Sequence, residues 1–544
     1  MNKVALYLQE HLTGEVMTSA AARKYFSTDG GVFEVMPAMI VYPQNENDVR
    51  KTARFAWQLA ERDRPIPITA RGRGSDQAGA AIGEGIIMVF PAHMNKLLEL
   101  DTRSGDVTVE PGLVYGKLQQ TLHTHKRFLP PFPSSIEFAT MGGAVANNAA
   151  GEKTIKYGST RNYTKGLRVV LANGEVIATG RINKRDLNKK LGLATFEGEV
   201  YRALDKLIEE NKDLINNMDL NVTKNSAGYD LADVKRKDGS FDLTPLMVGS
   251  QGTLGIVTEV TFTTEPFNPA TTLIAAYVDD ISLAKELVLD LRNLPETPCA
   301  IEVVDENLLN LLDEINPNQL KGTLEKPFPK LIVLIEFDNQ SERTQKNMVK
   351  RVEKMLHKRD IHFQTETEPA AKEKLWKIRH SAASVITHTE GNAKALPIIE
   401  DGIVPVAKFD EYLEGVYEIF NKYHLKIAIW GHAGNANLHM QPFLDLSQVG
   451  DRQKVFKIID EYYNLVISLG GSTSGEHSDG RLRAPYLQQL YGDDVYELFQ
   501  KTKVIFDPHN ILNPGVKMNV TLADIKPLLR DDYSMDHLYD HLPH

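Results

Sequence analysis

The second half of the 544-residue sequence holds three stretches whose residue types suit chemistry better than packing. They are Trp376-Lys-Ile-Arg379-His380, Trp430-Gly-His432-Ala-Gly-Asn-Ala-Asn-Leu-His439 and Ser474-Gly-Glu476-His477-Ser-Asp479-Gly-Arg481. A histidine met singly is ordinarily exposed, or satisfied in a core. His432 and His439 are not at helical spacing. Glycine and asparagine lie between them, so a loop must fold both imidazoles inward. With Glu476 they make two imidazoles and one carboxylate with a position left open, the ligand set of catalytic divalent-metal sites. His477 is either a loop histidine capping a turn or a general base whose pKa lies near working pH. Arg379 has a bland reading too, as a surface arginine on an amphipathic helix.

Such groups need something to act beside, and the first half supplies candidates. The stretch Pro130 to Arg161 contains Pro133-Ser134, then Thr140-Met-Gly142-Gly143-Ala-Val-Ala-Asn147-Asn148-Ala-Ala-Gly151, then Lys156-Tyr157-Gly-Ser-Thr-Arg161. Nearly every residue from Met141 to Gly151 is small, which lets main chain approach something flat or anionic. Taken alone, this is a Gly/Ala-rich turn between strands. A second loop of the same character lies upstream, Arg71-Gly72-Arg73-Gly74-Ser75-Asp76-Gln77-Ala-Gly79, and two such loops suggest a large ligand with a diphosphate and a flat ring. The upstream loop is not a Rossmann fingerprint, because Ile86-Ile-Met-Val-Phe90 after it reads as a strand where that motif must open a helix. Successive N–H groups in such a loop can form an anion nest without one.

The surrounding pattern is α+β. Residues before Met36 read as a helical lead-in. Ala38–Tyr42, a helix with Val49, Ala53, Ala56, Trp57 and Ala60 on one face, and Ile66–Ile68 follow as strand, helix and strand. Asp106–Glu110 alternates as a strand, and Asn173-Gly174 marks a hairpin. The basic run Lys184–Lys190 lacks interleaved aromatics and reads as solvated surface. Near Glu265-Pro266 the pattern changes to alternating strands and helices, which suits an antiparallel sheet with helices on one face. The chain divides into a lead-in (1–35), a first domain (36–266), a cap (267–490), and a return with a polar tail (491–544). The tail histidines His537, His541 and His544 are assigned no metal.

Composition is that of a soluble globular protein, 42% hydrophobic and 25% charged, and the net charge of −10 argues against nucleic acid as a partner. The single cysteine, Cys299, excludes an intramolecular disulfide and a Cys-ligated iron–sulfur cluster within this chain. Lying among apolar residues, it reads as a buried structural thiol. No apolar run reaches membrane-spanning length, and the first ten residues are too polar for a secretory signal. The expected location is cytoplasmic, with a peripheral membrane contact left open.

These motifs, in this order from about Pro37 to Lys517, resemble the FAD-linked oxidases and dehydrogenases of the vanillyl-alcohol-oxidase (PCMH) type. Within them the chain is most similar to the D-lactate, glycolate and D-2-hydroxyglutarate dehydrogenases. The resemblance implies a two-part FAD-binding domain with an inserted antiparallel-sheet cap. It implies that Arg71 to Gln77, Pro133, Ser134, Thr140, Gly142, Gly143, Asn147, Asn148, Gly151, Tyr157, Gly252, Gly255, Ile256 and Asn513 serve the cofactor. The Gly249-Ser-Gln251-Gly252-Thr-Leu-Gly255 segment departs from the family in Gln251 for Glu. Asp76 replaces a neutral residue, so its carboxylate must point away from a diphosphate or bond within the loop. Asn435 and Ala436 replace an Asp-Gly between the histidines. By the same resemblance His432, His439 and Glu476 hold a divalent metal (Zn, Mn or Fe). His477 takes the substrate's hydroxyl proton while flavin N5 takes the hydride. Arg379, matching a Trp-x-x-Arg motif, grips the substrate carboxylate bidentately. Glu400-Asp401 and Val404-Pro405 match as well, without an assigned role. Ser381 and Ser384 stand where dicarboxylate enzymes carry further Thr and Lys groups, which favours D-lactate or glycolate.

FAD is expected to be non-covalent, since no histidine lies between Arg71 and Gly79. Electrons must pass to an external acceptor, whether a quinone, a cytochrome or a separate iron–sulfur protein. A homo-oligomer is expected. The rival readings are an alcohol or phenol oxidase of the same fold using O₂, and a non-catalytic flavin-binding subunit of a larger complex.

Overall fold

The computed structural model of the chain describes residues 3–316, 318, 320–387 and 392–539, with the main chain alone for 382–387. In the first domain a four-stranded sheet has the spatial order Glu15–Met17, Met39–Tyr42, Ile86–Val89, Ile68–Arg71. Its last three strands are parallel. The helix Glu46–Ala60 makes the crossover after Met39–Tyr42. Asn45 caps it by accepting from Asp48 N, and Val49, Ala53 and Ala56 are buried on the sheet, as their spacing predicts. The lead-in differs from expectation. Between helices Lys3–His11 and Ala20–Tyr25 the strand Glu15–Met17 pairs antiparallel with Met39–Tyr42. Three residues are too few to show a period of two.

A five-stranded antiparallel sheet follows, in the order Leu97–Asp101, Asp106–Val109, Ile256–Phe262, Thr164–Val170, Val176–Ala178. Ile256, Thr258, Val260 and Phe262 are buried while their neighbours are half-buried, the alternation of a sheet covered on one face. The expected hairpin turns at Gly174, whose φ of 85° suits glycine. Lys184–Leu191 is an exposed helix with only Leu187 buried.

The cap is a six-stranded, wholly antiparallel sheet, ordered His362–Glu366, Thr272–Val278, Leu331–Phe337, Ala300–Asp305, Ile429–His432, Asn437–Met440. Helices lie on both faces, not one. Ile274, Val333 and Ile335 join a core with helices Ile281–Arg292, Glu342–Lys358 and Phe409–Tyr423, while Leu273, Ile332 and Leu334 join another with Glu306–Ile315 and Pro369–Thr387. Every residue of Leu331–Phe337 and Ala300–Asp305 is therefore buried. The helix Leu487–Phe506 carries the chain back to the first domain, where Leu498 and Phe499 join its core. Among the described residues no helix is long and apolar enough to cross a membrane.

Candidate active site

His432 and His439 sit on a hairpin of regular strands, not on a loop. Their strands pair in the register Trp430↔His439 and His432↔Asn437. Residues directly opposite, and those two apart on one strand, share a face. Trp430, His432, Asn437 and His439 thus all point the same way. Ala433–Asn435 makes the turn, and Ala436 closes it at φ 53°, the left-handed conformation that the family's glycine would take without strain.

The three imidazoles converge on one oxygen. Glu476 Oε1 lies 3.0 Å from His432 Nε2, 3.1 Å from His439 Nε2 and 3.8 Å from His477 Nε2. Each ring is held from behind by a carboxylate. His432 Nδ1 is 2.7 Å from Glu302, and His439 Nδ1 and His477 Nδ1 are 3.3 and 2.8 Å from Glu400. Each carboxylate in turn has a buried cation: Glu302 has Arg379, Glu400 has Arg483, and Glu476 has Lys224. Asp401 faces the pocket of ligand atoms too, but it is taken up. It accepts from Ser474 Oγ at 2.6 Å, from the N–H groups of Glu476 and His477, and from Asn437. It shapes the Ser474–His477 loop and has no oxygen to spare for a metal.

The charges set the protonation. Burial raises Glu476, but His432 and Lys224 outweigh it and hold the carboxyl well below the usual range. Burial likewise opposes charge on His432, yet Glu302 and Glu476 on either side raise its pKa. His477 is also penalised by burial, and Glu400 and Asp401 more than compensate, carrying it up to about 9. A base poised near neutrality was expected; in the protein alone this imidazole is protonated at pH 7, because two carboxylates face it.

His439, Glu476, His477, Glu400 and Trp430 form one end of a cavity of about 470 Å³. Its other end is the Arg71–Gln77 loop, with Pro133, Ser134, Thr140, Gly142, Gly143, Asn147, Gly252 and Gly255 between them. The small-residue stretch Met141–Asn147 is a helix capped by Thr140, not a turn. The main-chain N–H groups of Arg73 through Gln77 find no acceptor among the described residues. They form an open nest for an anion. Asp76 does not oppose it. Its Oδ2 accepts from Ala78 N and Ala80 N, and its Oδ1 from Asn147. Asn147 accepts in turn from Gln251, which accepts from Gly480 N. This row of side chains ties both glycine loops to the segment that carries His477.

Residues 37–180 match a model described as FAD binding domain, and residues 268–516 match FAD linked oxidases, C-terminal domain. Over 505 residues the sequence is 30% identical to glycolate oxidase subunit GlcD of Bacillus subtilis, covering 91% of this chain and 92% of that protein. The chain belongs to the FAD-linked oxidases. Its similarity to D-2-hydroxyglutarate dehydrogenase of Escherichia coli is 29% over 524 residues, which is 93% of this chain but only 50% of that protein, so the chain spans about half of that relative. A D-lactate dehydrogenase of Archaeoglobus fulgidus is 26% identical over 477 residues, 88% of this chain and 90% of that protein. The solved p-cresol methylhydroxylase has the same fold, with a TM-score of 0.69 at 16% identity over 96% of this chain and 97% of that one. The fold expected from the motifs, a PCMH-type FAD-binding domain with an antiparallel cap, is that of this FAD-linked oxidase.

The cavity fits FAD on two observations: the nest of unpaired N–H groups, and the position of its glycines. Gly143 and Gly252 line the cavity; a Cβ on Gly252 would meet nothing nearer than 3.9 Å, and one on Gly143 only Thr140 Oγ1, at a close 3.2 Å. Other glycines serve the fold instead. A Cβ on Gly72 would strike Thr140 Oγ1 at 2.3 Å, one on Gly151 Phe132 O at 2.0 Å, and one on Gly255 Val169 Cγ1 at 2.4 Å.

Five expected cofactor residues lie outside the cavity wall. Gly151 makes the close approach just described. Asn148 bonds to Ser226 and to Arg161 N, and Tyr157 donates to Asp338. Ile256 is buried with Met39, Val49 and Ile86 in the core behind the four-stranded sheet, and Asn513 joins Ala80 O, Gln251 O and Thr69. Arg379 is also displaced from its expected place. Its Nε donates to Glu302 at 2.8 Å, behind His432, and it is His380 of the same helix that lines the cavity. The guanidinium is drawn there because Glu302, fully buried on the strand Ala300–Asp305, needs a counter-charge.

Sequence reasoning missed Lys224, Glu302 and Arg483, and gave Glu400 no role. It also misread the tail. Residues 529–539 fold over the nucleotide end: Tyr533, Met535, Leu538 and Tyr539 line it, Arg530 donates to Gly31 O, and buried His537 approaches Gly74 O at 3.1 Å. His541, His544 and the Ser384 side chain lie outside the described residues. Cys299 is a buried free thiol, as expected, and burial pushes its pKa up.

Proposed function

We propose that this protein oxidises a small 2-hydroxy acid, D-lactate or glycolate, to the 2-oxo acid, holding FAD non-covalently and passing electrons to an external acceptor. The observation that carries this reading is the convergence of three imidazoles on Glu476 Oε1 at one end of the cavity whose other end is the anion nest. The substrate class is supported by the names of the relatives, two hydroxy-acid dehydrogenases and a glycolate oxidase subunit.

His477 is the base. It faces the cavity, with a side chain 26% exposed against 5% for His432, and Glu400 fixes its Nδ1 so that Nε2 meets the substrate hydroxyl. FAD, when bound, supplies the hydride acceptor. His439 and Glu476 fit a divalent cation by ligand type, their ligand atoms lying with those of His477 and Asp401 within 4.8 Å of one another, and His432, whose Nε2 is 3.0 Å from Glu476 Oε1 behind the cavity wall, would be the third ligand. Glu302 and Glu400 on the far nitrogens hold the Nε2 atoms inward. Such a cation would acidify the hydroxyl and, by its charge, lower the pKa of His477 toward neutrality. Arg379 acts through Glu302 on His432. Trp430 and Gln441 close the wall around the substrate.

The test is anaerobic addition of D-lactate, L-lactate, glycolate and D-2-hydroxyglutarate to the yellow holoenzyme, following flavin absorbance. Bleaching by D-lactate or glycolate is expected. A flavin left oxidised by all four would overturn the reading.

A further inference from the structure

A second cavity, of about 280 Å³, opens where the first domain meets the cap. Its walls are apolar and aromatic: Phe128, Phe132, Ile136 and Phe267. Phe128 and Phe267 stand edge to face at 5.8 Å, and His123 stacks on Phe267 at 4.1 Å. Gln120, His123 and Glu137 at its rim are exposed, so the mouth faces solvent. The charges at its inner end are already matched. Lys153 is paired with Glu336, and Asp338 with Lys156 and Tyr157. The space therefore suits an uncharged, flat, largely apolar ring whose oxygens accept hydrogen bonds at the rim.

This cavity shares a wall with the first. Phe132 lines the second, and the next residues, Pro133, Ser134 and Ser135, line the first. Deeper in, Lys153 lines the second while its neighbour Glu152 accepts from His380, which lines the first. At both points one layer of chain separates the two spaces. The only cysteine of this sequence is buried Cys299, so these residues hold no Cys-ligated cluster beside either cavity.

We propose that the second cavity seats the ring of a quinone-type electron acceptor. The proposal rests on the flavin-oxidation reading above and names its acceptor. Two electrons from the reduced flavin and two protons, from flavin and solvent, turn the two quinone carbonyls into quinol hydroxyls and restore oxidised FAD.

The experiment uses holoenzyme and menadione, a short naphthoquinone. Calorimetric titration should detect binding to the oxidised parent protein and lose it in Ile136→Trp, which fills the cavity, and in Phe267→Ala, which removes a wall. Flavin reduced by dithionite is then mixed with menadione, so that reoxidation is read whether or not any hydroxy acid bleaches the enzyme. Reoxidation should slow about tenfold or more in both variants. FAD content and anaerobic bleaching should stay at the parent level. Menadione that does not bind the parent, or reoxidises both variants at the parent rate, overturns the proposal, and reoxidation only by a protein acceptor does the same.

Discussion

Between Arg73 and Gln77 the binding groups of the main cavity belong to the main chain, whereas around Glu476 they belong to side chains drawn from segments as distant as Lys224, Glu302, Glu400 and Arg483. A nest of N–H groups needs only a chain bent in a particular way, and glycine supplies that locally. A cluster of imidazoles and carboxylates needs every charge answered, and the answering groups come from wherever the fold can bring them. The two ends should therefore fail differently when altered.

The largest expected effect is at the histidine end. His477→Ala should slow anaerobic flavin bleaching by about 10²–10⁴-fold while FAD content holds, as removal of a general base does, and its thermal midpoint should fall somewhat at pH 7, where the imidazolium answers buried Glu400. Equal bleaching rates in variant and parent would remove the assignment. Glu400→Gln should instead be costly to the fold. It leaves Arg483 buried without its counter-charge, and a loss of about 3–5 kcal/mol in denaturant unfolding is expected.

The nucleotide end should break by a different route. Gly143→Ala and Gly252→Ala should lower FAD affinity and leave apo-protein stability nearly unchanged for Gly143, with a modest strain at Gly252, whose φ is 71°. Gly72→Ala should unfold the protein more readily with or without cofactor, because its Cβ meets Thr140. Measuring FAD binding and the apo-protein thermal midpoint side by side separates the two classes. If all three glycines behaved alike, the distinction between cradle and packing would be lost.

This contrast also explains what could be read in advance. The glycine loops, the hairpin at Gly174 and the cap's strand–helix alternation announce themselves because their requirements are local. The helices on both cap faces were hidden by burial: strands such as Leu331–Phe337, apolar at every position, carry no alternation to show which side is covered. Lys224, Glu302 and Arg483 gave no signal at all. A lysine before Asn225 or an arginine after Leu482 looks like any surface residue until the fold shows which carboxylate it answers. Arg379 was noticed as a motif residue, but its partner Glu302 was not, and so its direction was missed. The tail was misread for the same reason, since Tyr533 becomes half-buried and His537 buried only against Gly30 and Gly74.

A milder effect is expected from pH. Because His477 is raised from 6.5 to about 9 by carboxylates, its positive charge stabilises the fold fully below about pH 6.5, and that contribution fades as pH rises through 9. Metal-stripped holoenzyme should show an acid limb for bleaching near pH 9, and saturation with Mn²⁺ or Zn²⁺ should move the limb to lower pH. A limb that ignores the metal would separate His477 from the cation site. The smallest effect is expected at the junction of the two ends. Gln251→Glu should destabilise by about 1–3 kcal/mol, since Asn147 would then face acceptors on both sides, and adding Asp76→Asn should recover most of the loss in thermal unfolding.

The row from Asp76 through Asn147 and Gln251 to Gly480 has a polarity, each amide handing its hydrogen to the neighbour on one side only. Where related proteins carry Glu at the second position and a neutral group at the first, the same row can run the other way. Asp76 and Gln251 therefore act as one unit, and a change at either alone sets two lone pairs against each other.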